Sequence, residues 1–226
     1  MVSYDIFDTV LTRRVGEPHD VFDLCGEQLE AAGLLPDGFC FRRNRVAAEA
    51  RARNGQPNGE VTLDEIYAPL ATAFGWSETA REEALGIELA TERAVICAMP
   101  GMAQRLRHHR DAAEALLFLS DTYLPSSFLR EVLSNIGLLQ PGDQVVVSGE
   151  RRRSKASGTI WTEFAKGDLK RHHGNHRQHD VDSARRAGIA ADWLPEGNLT
   201  RYEAILSRQP EPGSLGAVLA GACRLG

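Results

Sequence analysis

Two carboxylates and a hydroxyl group follow a short apolar run near the beginning of the sequence, within the segment VSYDIFDTVLTR. They belong to Asp5, Asp8 and Thr9. An aspartate carboxylate can attack a phosphoryl group or a carbon centre and form a covalent intermediate. Taken alone, Asp5 is better explained as a turn or cap residue, so a catalytic interpretation depends on which other groups the fold brings beside it.

Three later segments carry side chains that suit the same chemistry. Ser120 and Asp121 follow the apolar run LLFL, Lys155 lies downstream of VVVSGERRRS, and the polar segment HHGNHRQHD contains Asn175 and Asp180. A hydroxyl and the N–H groups of a helix start can hold phosphate oxygens. A lysine neutralises charge on nucleophile and substrate together, and oxygen ligands from two loops can bind Mg²⁺. With the first segment, these groups predict phosphoryl transfer.

Simpler structural roles remain open for several of these residues. Ser120 is also placed to cap a helix that begins near Leu124, a role compatible with binding phosphate. Lys155 follows three arginines, and such a basic run is usually a solvated surface. The four histidines between residues 172 and 179 are better explained as a polar loop than as a transition-metal site.

The elements that must position these groups alternate along the second half of the chain. A short strand is predicted over residues 2–7, and helical patterns dominate from Pro18 to about residue 100. Beyond residue 102, apolar runs of strand length alternate with helical patterns, which predicts an α/β fold with a parallel sheet. Since ligands bind at the carboxyl ends of such strands, the four segments are expected to meet at one edge of the sheet. We predict strands in LLFL, DQVVVSG and AADWLP, and helices in GTIWTEFAKGDLKRH and DVDSARRAGI.

The helical block interrupts the α/β pattern, which predicts two domains. A capping-box signature begins at Thr62, and another helix is expected from Glu78 to about Cys97, before a break at Pro100. We therefore predict a Rossmann-like core formed by residues 1–14 and 102–226 and an inserted all-α cap formed by residues 15–101. Residues 196–226 are expected to form a C-terminal extension whose last apolar helix packs on the core.

Composition is that of an ordinary globular protein. The 226 residues are 42% hydrophobic and 25% charged, and the net charge of −5 argues against a nucleic-acid partner. The sequence shows neither an apolar stretch of membrane-spanning length nor a secretory signal pattern. The four cysteines are scattered and form no CxxC motif, which favours free thiols. We expect a cytoplasmic protein that does not bind membranes.

The order of these segments resembles that of the haloacid dehalogenase superfamily over nearly the whole chain. DIFDT is similar to the first motif of that family, LLFLSDTYLP to the second, SKASG to the third, and GNHRQHD to the acidic fourth motif. The resemblance implies a helical cap inserted at the family's first cap position. It is greatest to a branch of hydrolases often found beside or fused to glycosyltransferases, which implies association with a glycosyltransferase or another biosynthetic enzyme.

The same resemblance implies a role for each candidate residue. Asp5 would be the nucleophile and Lys155 a further catalytic residue. Asp8 is a catalytic candidate on different grounds, as a substitute acid or otherwise a structural hydrogen-bonding residue of the loop. The candidates for binding substrate or phosphate are Thr9, Ser120 and Asp121. The candidates for binding Mg²⁺ are Asp5, Phe7, Asn175 and Asp180.

Two positions depart from the pattern of the family's phosphatases. Phe7 stands where they carry an aspartate that protonates the leaving group, and Asp8 is a candidate substitute. Asn175 stands where the fourth motif normally has an aspartate that binds the metal, so Mg²⁺ should be held more weakly unless Asp180 compensates.

The resemblance therefore implies a Mg²⁺-dependent phosphatase that acts on a small phosphorylated metabolite, such as a sugar phosphate, through an aspartyl-phosphate on Asp5. Two other functions remain open. One is a catalytically degenerate protein with a binding or regulatory role. The other is metal-independent dehalogenation at carbon, which agrees with the aromatic residue at position 7.

Overall fold

The computed structural model describes residues 1–56, 58–164 and 167–206 of the chain. The strands are β1 (Val2–Tyr4), β2 (Leu11–Arg13), β3 (Ile96–Ala98), β4 (Leu116–Ser120), β5 (Gln144–Val147), β6 (Arg171–Gly174) and β7 (Ala190–Trp193). The helices are α1 (Val21–Ala31), α2 (Phe41–Asn54), α3 (Leu63–Phe74), α4 (Glu78–Val95), α5 (Met102–Asp111), α6 (Ser126–Asn135), α7 (Ser148–Arg151), α8 (Ser183–Arg186) and α9 (Arg201–Leu206). A π-helical turn, Arg177–Asp182, directly precedes α8.

Five strands form one parallel sheet in the order β5-β4-β1-β6-β7. The central strand β1 is paired on both sides, with Tyr4 beside Phe118 of β4 and His173 of β6. Strands β1 and β4 are buried along their whole length, as expected for central strands of a parallel sheet that is covered on both faces. The α/β class predicted from sequence is confirmed, and the parallel arrangement brings all five carboxyl ends to one edge.

Strand β6 corrects the sequence-based prediction of the segment before Asn175. GTIWTEFAKGDLKRH was predicted to be a helix and HHGNHRQHD a loop. In the described residues of the first segment, 158–164 and 167–172, the structure has a 3₁₀ turn, Thr159–Glu163, and the start of β6, which pairs with β1 and β7. His172 and His173 occupy buried strand positions that the hydrophobic pattern reserves for apolar residues. This is why periodicity did not identify the strand.

A tight turn follows β1 and carries the chain towards the helical insertion. The N–H groups of Val10 and Leu11 both donate to the carbonyl of Ile6, and Asp8 adopts a left-handed conformation with φ of 57°. Aspartate tolerates this region better than most residues because its short side chain forms local hydrogen bonds. The chain then enters β2, which pairs with β3, and helices α1 to α4 lie between these two strands in sequence.

The described residues divide into two compact units. The first contains residues 1–12, 56–62 and 97–198, and therefore the whole five-stranded sheet; the second contains residues 13–55, 63–96 and 199–206. In the first unit, the carbonyl of Glu60 accepts a hydrogen bond of 2.6 Å from Arg152, the residue that follows α7. The predicted apolar C-terminal helix lies outside the described residues.

The second unit is held together by buried ion pairs as well as by apolar contacts. Arg45 of α2 is fully buried and forms two hydrogen bonds of 2.8 Å with Glu88 of α4. The hydroxyl of Tyr67 donates to the same carboxylate at 2.8 Å. Each charge has its partner in place, which burial of an ion pair requires. Within the described ranges, no helix is both long enough and apolar enough to cross a membrane.

Candidate active site

Asp5 is the first residue after β1 and lies at the carboxyl edge of the sheet. Its N–H donates to the carbonyl of His173 at 2.8 Å, which fixes the backbone at this point. The side chain is buried, and Lys155 and Thr9 contact one carboxylate oxygen each. Thr9 donates to Oδ2 at 3.0 Å, and the ammonium of Lys155 forms an ion pair with Oδ1.

Lys155 joins two carboxylates that are far apart in sequence. Its Nζ contacts Asp5 and lies 2.6 Å from Oδ1 of Asp180, and the side chain is only 3% exposed. The two oxygens of the Asp121 carboxylate accept the backbone N–H groups of Lys155 and Ala156 at 2.9 and 3.0 Å. Asp121 therefore ties the loop after β4 to the loop that carries the lysine.

Asp180 is held in place by donors from several elements. Its Oδ2 accepts the N–H of His176 at 2.8 Å, while Oδ1 faces Lys155 and, at 3.4 Å, Nε2 of His172. The carboxylate passes so close to Gly174 that a methyl group at that position would overlap with it. The glycine is thus required by the close approach of a side chain rather than by backbone conformation.

The three charged groups have strongly perturbed pKa values. Burial raises the pKa of Asp5 to about 7; Lys155 acts against this rise, and Asp180 adds to it. Burial opposes ionisation of Asp180 as well, but Lys155 and the hydrogen bond from His172 hold its pKa well below the usual value. Despite its burial, the pKa of Lys155 is raised by Asp180, Asp5 and Asp121. Two carboxylates share one ammonium, and Asp5 is the one left more weakly neutralised.

Asn175 reaches the same cluster through Thr9. Its Nδ2 donates to Oδ1 of Asn198 at 2.7 Å, which turns its own Oδ1 towards Thr9, 3.5 Å from the hydroxyl oxygen. The carbonyl of Asn175 also accepts the indole N–H of Trp193 at 2.8 Å. The amide oxygen therefore faces the side of the site that carries Asp5.

Three other residues that the sequence analysis proposed, Phe7, Asp8 and Ser120, lie within a few positions of Asp5 or Asp121 in the sequence. The Oδ1 of Asp8 accepts a hydrogen bond of 2.8 Å from Thr12, and Phe7 is half-buried and forms a single bridge with Leu11. Ser120 is the buried last residue of β4, next to Val147 of β5 at the same edge as Asp5. Ser120 thus lies at the same edge of the sheet as Asp5, and the Asp8 carboxylate accepts a hydrogen bond within its own part of the chain.

Comparison with solved structures places this geometry in a known fold. The 2-haloacid dehalogenase of Pseudomonas syringae pv. tomato DC3000 is similar to this chain with a TM-score of 0.63 and 15% identity, over 100% of this chain and 98% of that one. YfnB of Bacillus subtilis, assigned to the HAD hydrolases and solved with bound magnesium, is similar with a TM-score of 0.57 and 13% identity, over 86% of this chain and 88% of that one. A HAD phosphatase of Thermococcus onnurineus is similar with a TM-score of 0.55 and 19% identity, over 89% of this chain and 88% of that one.

The chain has the haloacid dehalogenase fold. The sequence itself matches no family model and no curated protein sequence. The structural neighbours include both phosphatases and dehalogenases, so the shared fold does not choose between attack at phosphorus and attack at carbon.

The oxygen atoms around Asp5 meet the requirements of a Mg²⁺ site only in part. Asp5, the carbonyl of Phe7 and the amide oxygen of Asn175 are oxygen donors of the kind that Mg²⁺ prefers, and this ion commonly keeps several waters. Both oxygens of Asp180 already accept protein donors. Within the described part of the chain, no three His, Cys, Asp or Glu side chains are grouped to hold a metal ion. Both oxygens of Asp5 likewise contact protein donors. A Mg²⁺ at this edge would therefore depend on the amide oxygen of Asn175, on water and on substrate oxygens.

Sequence reasoning missed three residues that support the site. Ser183 donates to the carbonyl of Lys155 at 2.8 Å, and His172 and Ser3 are buried behind Asp180. None of them belongs to a motif with a chemical signature. The available signal was the presence of polar residues inside apolar strands, which becomes interpretable once their partners are known.

Proposed function

We propose that this protein is a Mg²⁺-dependent phosphatase of small phosphorylated metabolites that works through an aspartyl-phosphate on Asp5. The observation that carries the proposal is the contact of the buried Asp5 carboxylate with the Lys155 ammonium and the Thr9 hydroxyl at the carboxyl edge of the sheet. A carboxylate that is buried, oriented by two donors and weakly neutralised is suited to nucleophilic attack.

In the first step, an oxygen of Asp5 forms a bond to phosphorus while the bond to the leaving oxygen breaks. Lys155 neutralises the charge that builds on the phosphoryl oxygens, and the Ser120 hydroxyl would donate a hydrogen bond to them. The Thr9 hydroxyl donates to Oδ2 of Asp5 and would reach a phosphoryl oxygen only after leaving that oxygen. Bound at Asp5, the Phe7 carbonyl and Asn175, Mg²⁺ would supply further charge neutralisation. Water then attacks phosphorus while the bond between phosphorus and the Asp5 oxygen breaks. The Asp5 carboxylate is restored, and the protons of the water leave with inorganic phosphate or pass to solvent.

The environment of position 7 supports a preference for good leaving groups. Phe7 cannot donate a proton, and the Asp8 carboxylate accepts a hydrogen bond from Thr12. A general acid contributes roughly 10²–10⁴-fold to such reactions. We therefore propose acyl phosphates, aryl phosphates and sugar phosphates with activated leaving oxygens as the substrates.

Two roles differ from the sequence-based assignment. The contacts of Asp121 with the Lys155 loop support a positioning role rather than direct binding of phosphate. Those of Asp180 support orientation of Lys155 rather than ligation of metal. The association with a glycosyltransferase, the cytoplasmic location and a helical cap over residues 15–101 remain proposals that rest on the sequence.

The substitution Asp5→Asn tests the proposal directly. It should abolish phosphate release from acetyl phosphate and p-nitrophenyl phosphate, by at least about 10³-fold in kcat, because an amide cannot act as the nucleophile. Asp64→Asn, the same chemical change at an exposed position of α3, is the matched control and should retain activity within about twofold. Full activity of the Asp5→Asn protein would refute the aspartyl-phosphate mechanism.

Dehalogenation at carbon is the second candidate, favoured by the aromatic side chain at position 7. It would use the same Asp5 nucleophile and need no metal. A catalytically inactive binding protein is the third, and it predicts ligand-induced thermal stabilisation without turnover of any substrate.

A further inference from the structure

A line of buried polar side chains leads from the interior of the sheet to the Asp5 site. Ser3 of β1 and His172 of β6 are fully buried, and Asp180 and Lys155 are nearly so. The Ser3 Oγ lies 2.7 Å from Nδ1 of His172, whose Nε2 lies 3.4 Å from Oδ1 of Asp180. The same oxygen of Asp180 is 2.6 Å from Nζ of Lys155.

The chemistry of these partners selects one form of the imidazole. An ionised carboxylate only accepts hydrogen bonds, so the nitrogen that faces Asp180 must carry the proton. The other nitrogen, Nδ1, is then an acceptor, and the Ser3 hydroxyl is the donor beside it. The Asp180 carboxylate therefore selects the tautomer in which His172 donates to it, and the Ser3 hydroxyl serves as the hydrogen-bond partner of Nδ1 in that tautomer.

Packing restricts the ring in the same orientation. Trp161 is fully buried and meets His172 edge to face, with ring centroids 4.9 Å apart. The indole N–H donates to Ser183 at 2.9 Å, and Ser183 donates to the backbone carbonyl of Lys155 at 2.8 Å. Trp161 and Ser183 thus connect the imidazole of His172 to the backbone of Lys155.

A buried imidazole at this strand position is costly unless its nitrogens have partners, and an apolar residue would pack there more simply. Because Lys155 contacts both Asp5 and Asp180, the orientation of Asp180 determines where the ammonium lies. We propose that His172, oriented by Ser3, is a positioning residue that holds the Asp180 carboxylate and so places the Lys155 ammonium on the Asp5 carboxylate. The part of this inference that concerns catalysis rests on the proposed phosphatase function.

The tautomer can be measured without any activity. Long-range ¹H–¹⁵N NMR spectra resolve the ring nitrogens of histidines, and the His172 signals among the seven histidines are those lost in the His172→Gln protein. We expect a neutral ring protonated at Nε2, a change in the Nε2 shift in Asp180→Asn, and a change in the Nδ1 shift in Ser3→Ala, where this nitrogen loses its hydrogen-bond partner. A ring protonated only at Nδ1, or one insensitive to both substitutions, would overturn the inference.

A matched pair of amides tests the effect on the reaction. The side-chain nitrogen of glutamine can reach the position of the imidazole Nε2, whereas that of asparagine reaches only the position of Nδ1. His172→Gln should retain kcat for p-nitrophenyl phosphate within about threefold. His172→Asn should lose about 10–100-fold in kcat, the range typical of an outer-shell partner, with KM changed less than about twofold.

Equal loss of kcat in both amide variants, or no loss in either, would contradict a positioning role. Thermal unfolding of both proteins is the control, because equal midpoints exclude a difference in folding. If His172→Asn does not fold, Ser3→Ala takes its place. We expect a loss of about threefold in the kcat of Ser3→Ala, and an unchanged kcat would contradict the inference. If the wild-type protein releases no phosphate, the proposed function fails, and the NMR experiment alone decides whether His172 holds Asp180.

Discussion

At the scale of single residues, the Asp5 carboxylate combines reactivity with a cost in stability. It is 6% exposed, and its pKa rises to about 7 from an ordinary value near 3.8, chiefly because of burial. The protonated form is therefore favoured in the folded protein relative to the unfolded chain. The folded state loses stability as pH rises from about 4 to about 7, where Asp5 must ionise inside the protein.

Replacing Asp5 with asparagine should therefore stabilise the protein above neutral pH. We expect the free energy of unfolding of Asp5→Asn to exceed that of the wild type by about 1–3 kcal/mol at pH 8, and this excess should shrink towards pH 5. Urea unfolding at the two pH values, in the presence of a chelator, measures it. Asp64→Asn should show no such pH-dependent difference. A variant whose relative stability falls between pH 5 and pH 8 would contradict the assigned direction of the Asp5 pKa.

At the scale of elements, the site depends on how closely the chain after β6 approaches the strand. The turn Arg177–Asp182 directs the Asp180 carboxylate back over Gly174, the last residue of β6. Only a residue without a Cβ leaves room for this carboxylate beside Lys155. The glycine of the fourth segment is thus explained by packing between a strand end and the helical turn that follows it.

The substitution Gly174→Ala should consequently displace Asp180. We expect a loss of about 1–3 kcal/mol in stability from overpacking, and a fall in kcat of at least about tenfold because Lys155 loses a partner. Gly86→Ala is the control, because Gly86 is exposed in α4 and a methyl group there meets no atom within 4 Å. The control should be more stable by about 0.5–1 kcal/mol and equally active. Urea unfolding and phosphate release measure both proteins, and a wild-type kcat for Gly174→Ala would show that Asp180 does not need its present position.

At the scale of the whole molecule, the fold supports more than one hydrolytic reaction, and a substrate panel distinguishes them. We expect phosphate release from acetyl phosphate and p-nitrophenyl phosphate to be at least about 100-fold faster than from an unactivated alkyl phosphate, because no acid stands at position 7. Chelation of metal should abolish this activity, and Mg²⁺ should restore it. Halide release from 2-haloacids that persists in the chelator would identify the dehalogenase instead.

Several properties of the protein followed from local signals in the amino-acid sequence. Buried parallel strands such as β4 and β5 have apolar runs that alternate with helical periodicity, which predicted the α/β class. Asp5, Lys155 and Asp180 were proposed as site residues because they follow predicted strands or lie in loops beside them, and because their segments resemble the motifs of a known family. These features depend on nearest neighbours along the chain, and a pattern of residue types is enough to reveal them.

Only the tertiary structure decided what each polar group contacts. Strand β6 was missed because His172 and His173 interrupt its apolar pattern, and their burial is tolerable only through partners or packing from distant segments. The pairing of one ammonium with two carboxylates, Asp5 and Asp180, arises where separate strand ends meet. Lys155 and Asp5 are 150 positions apart in the sequence. Hydrogen-bond geometry and burial determine which such contacts form, and no local pattern encodes them.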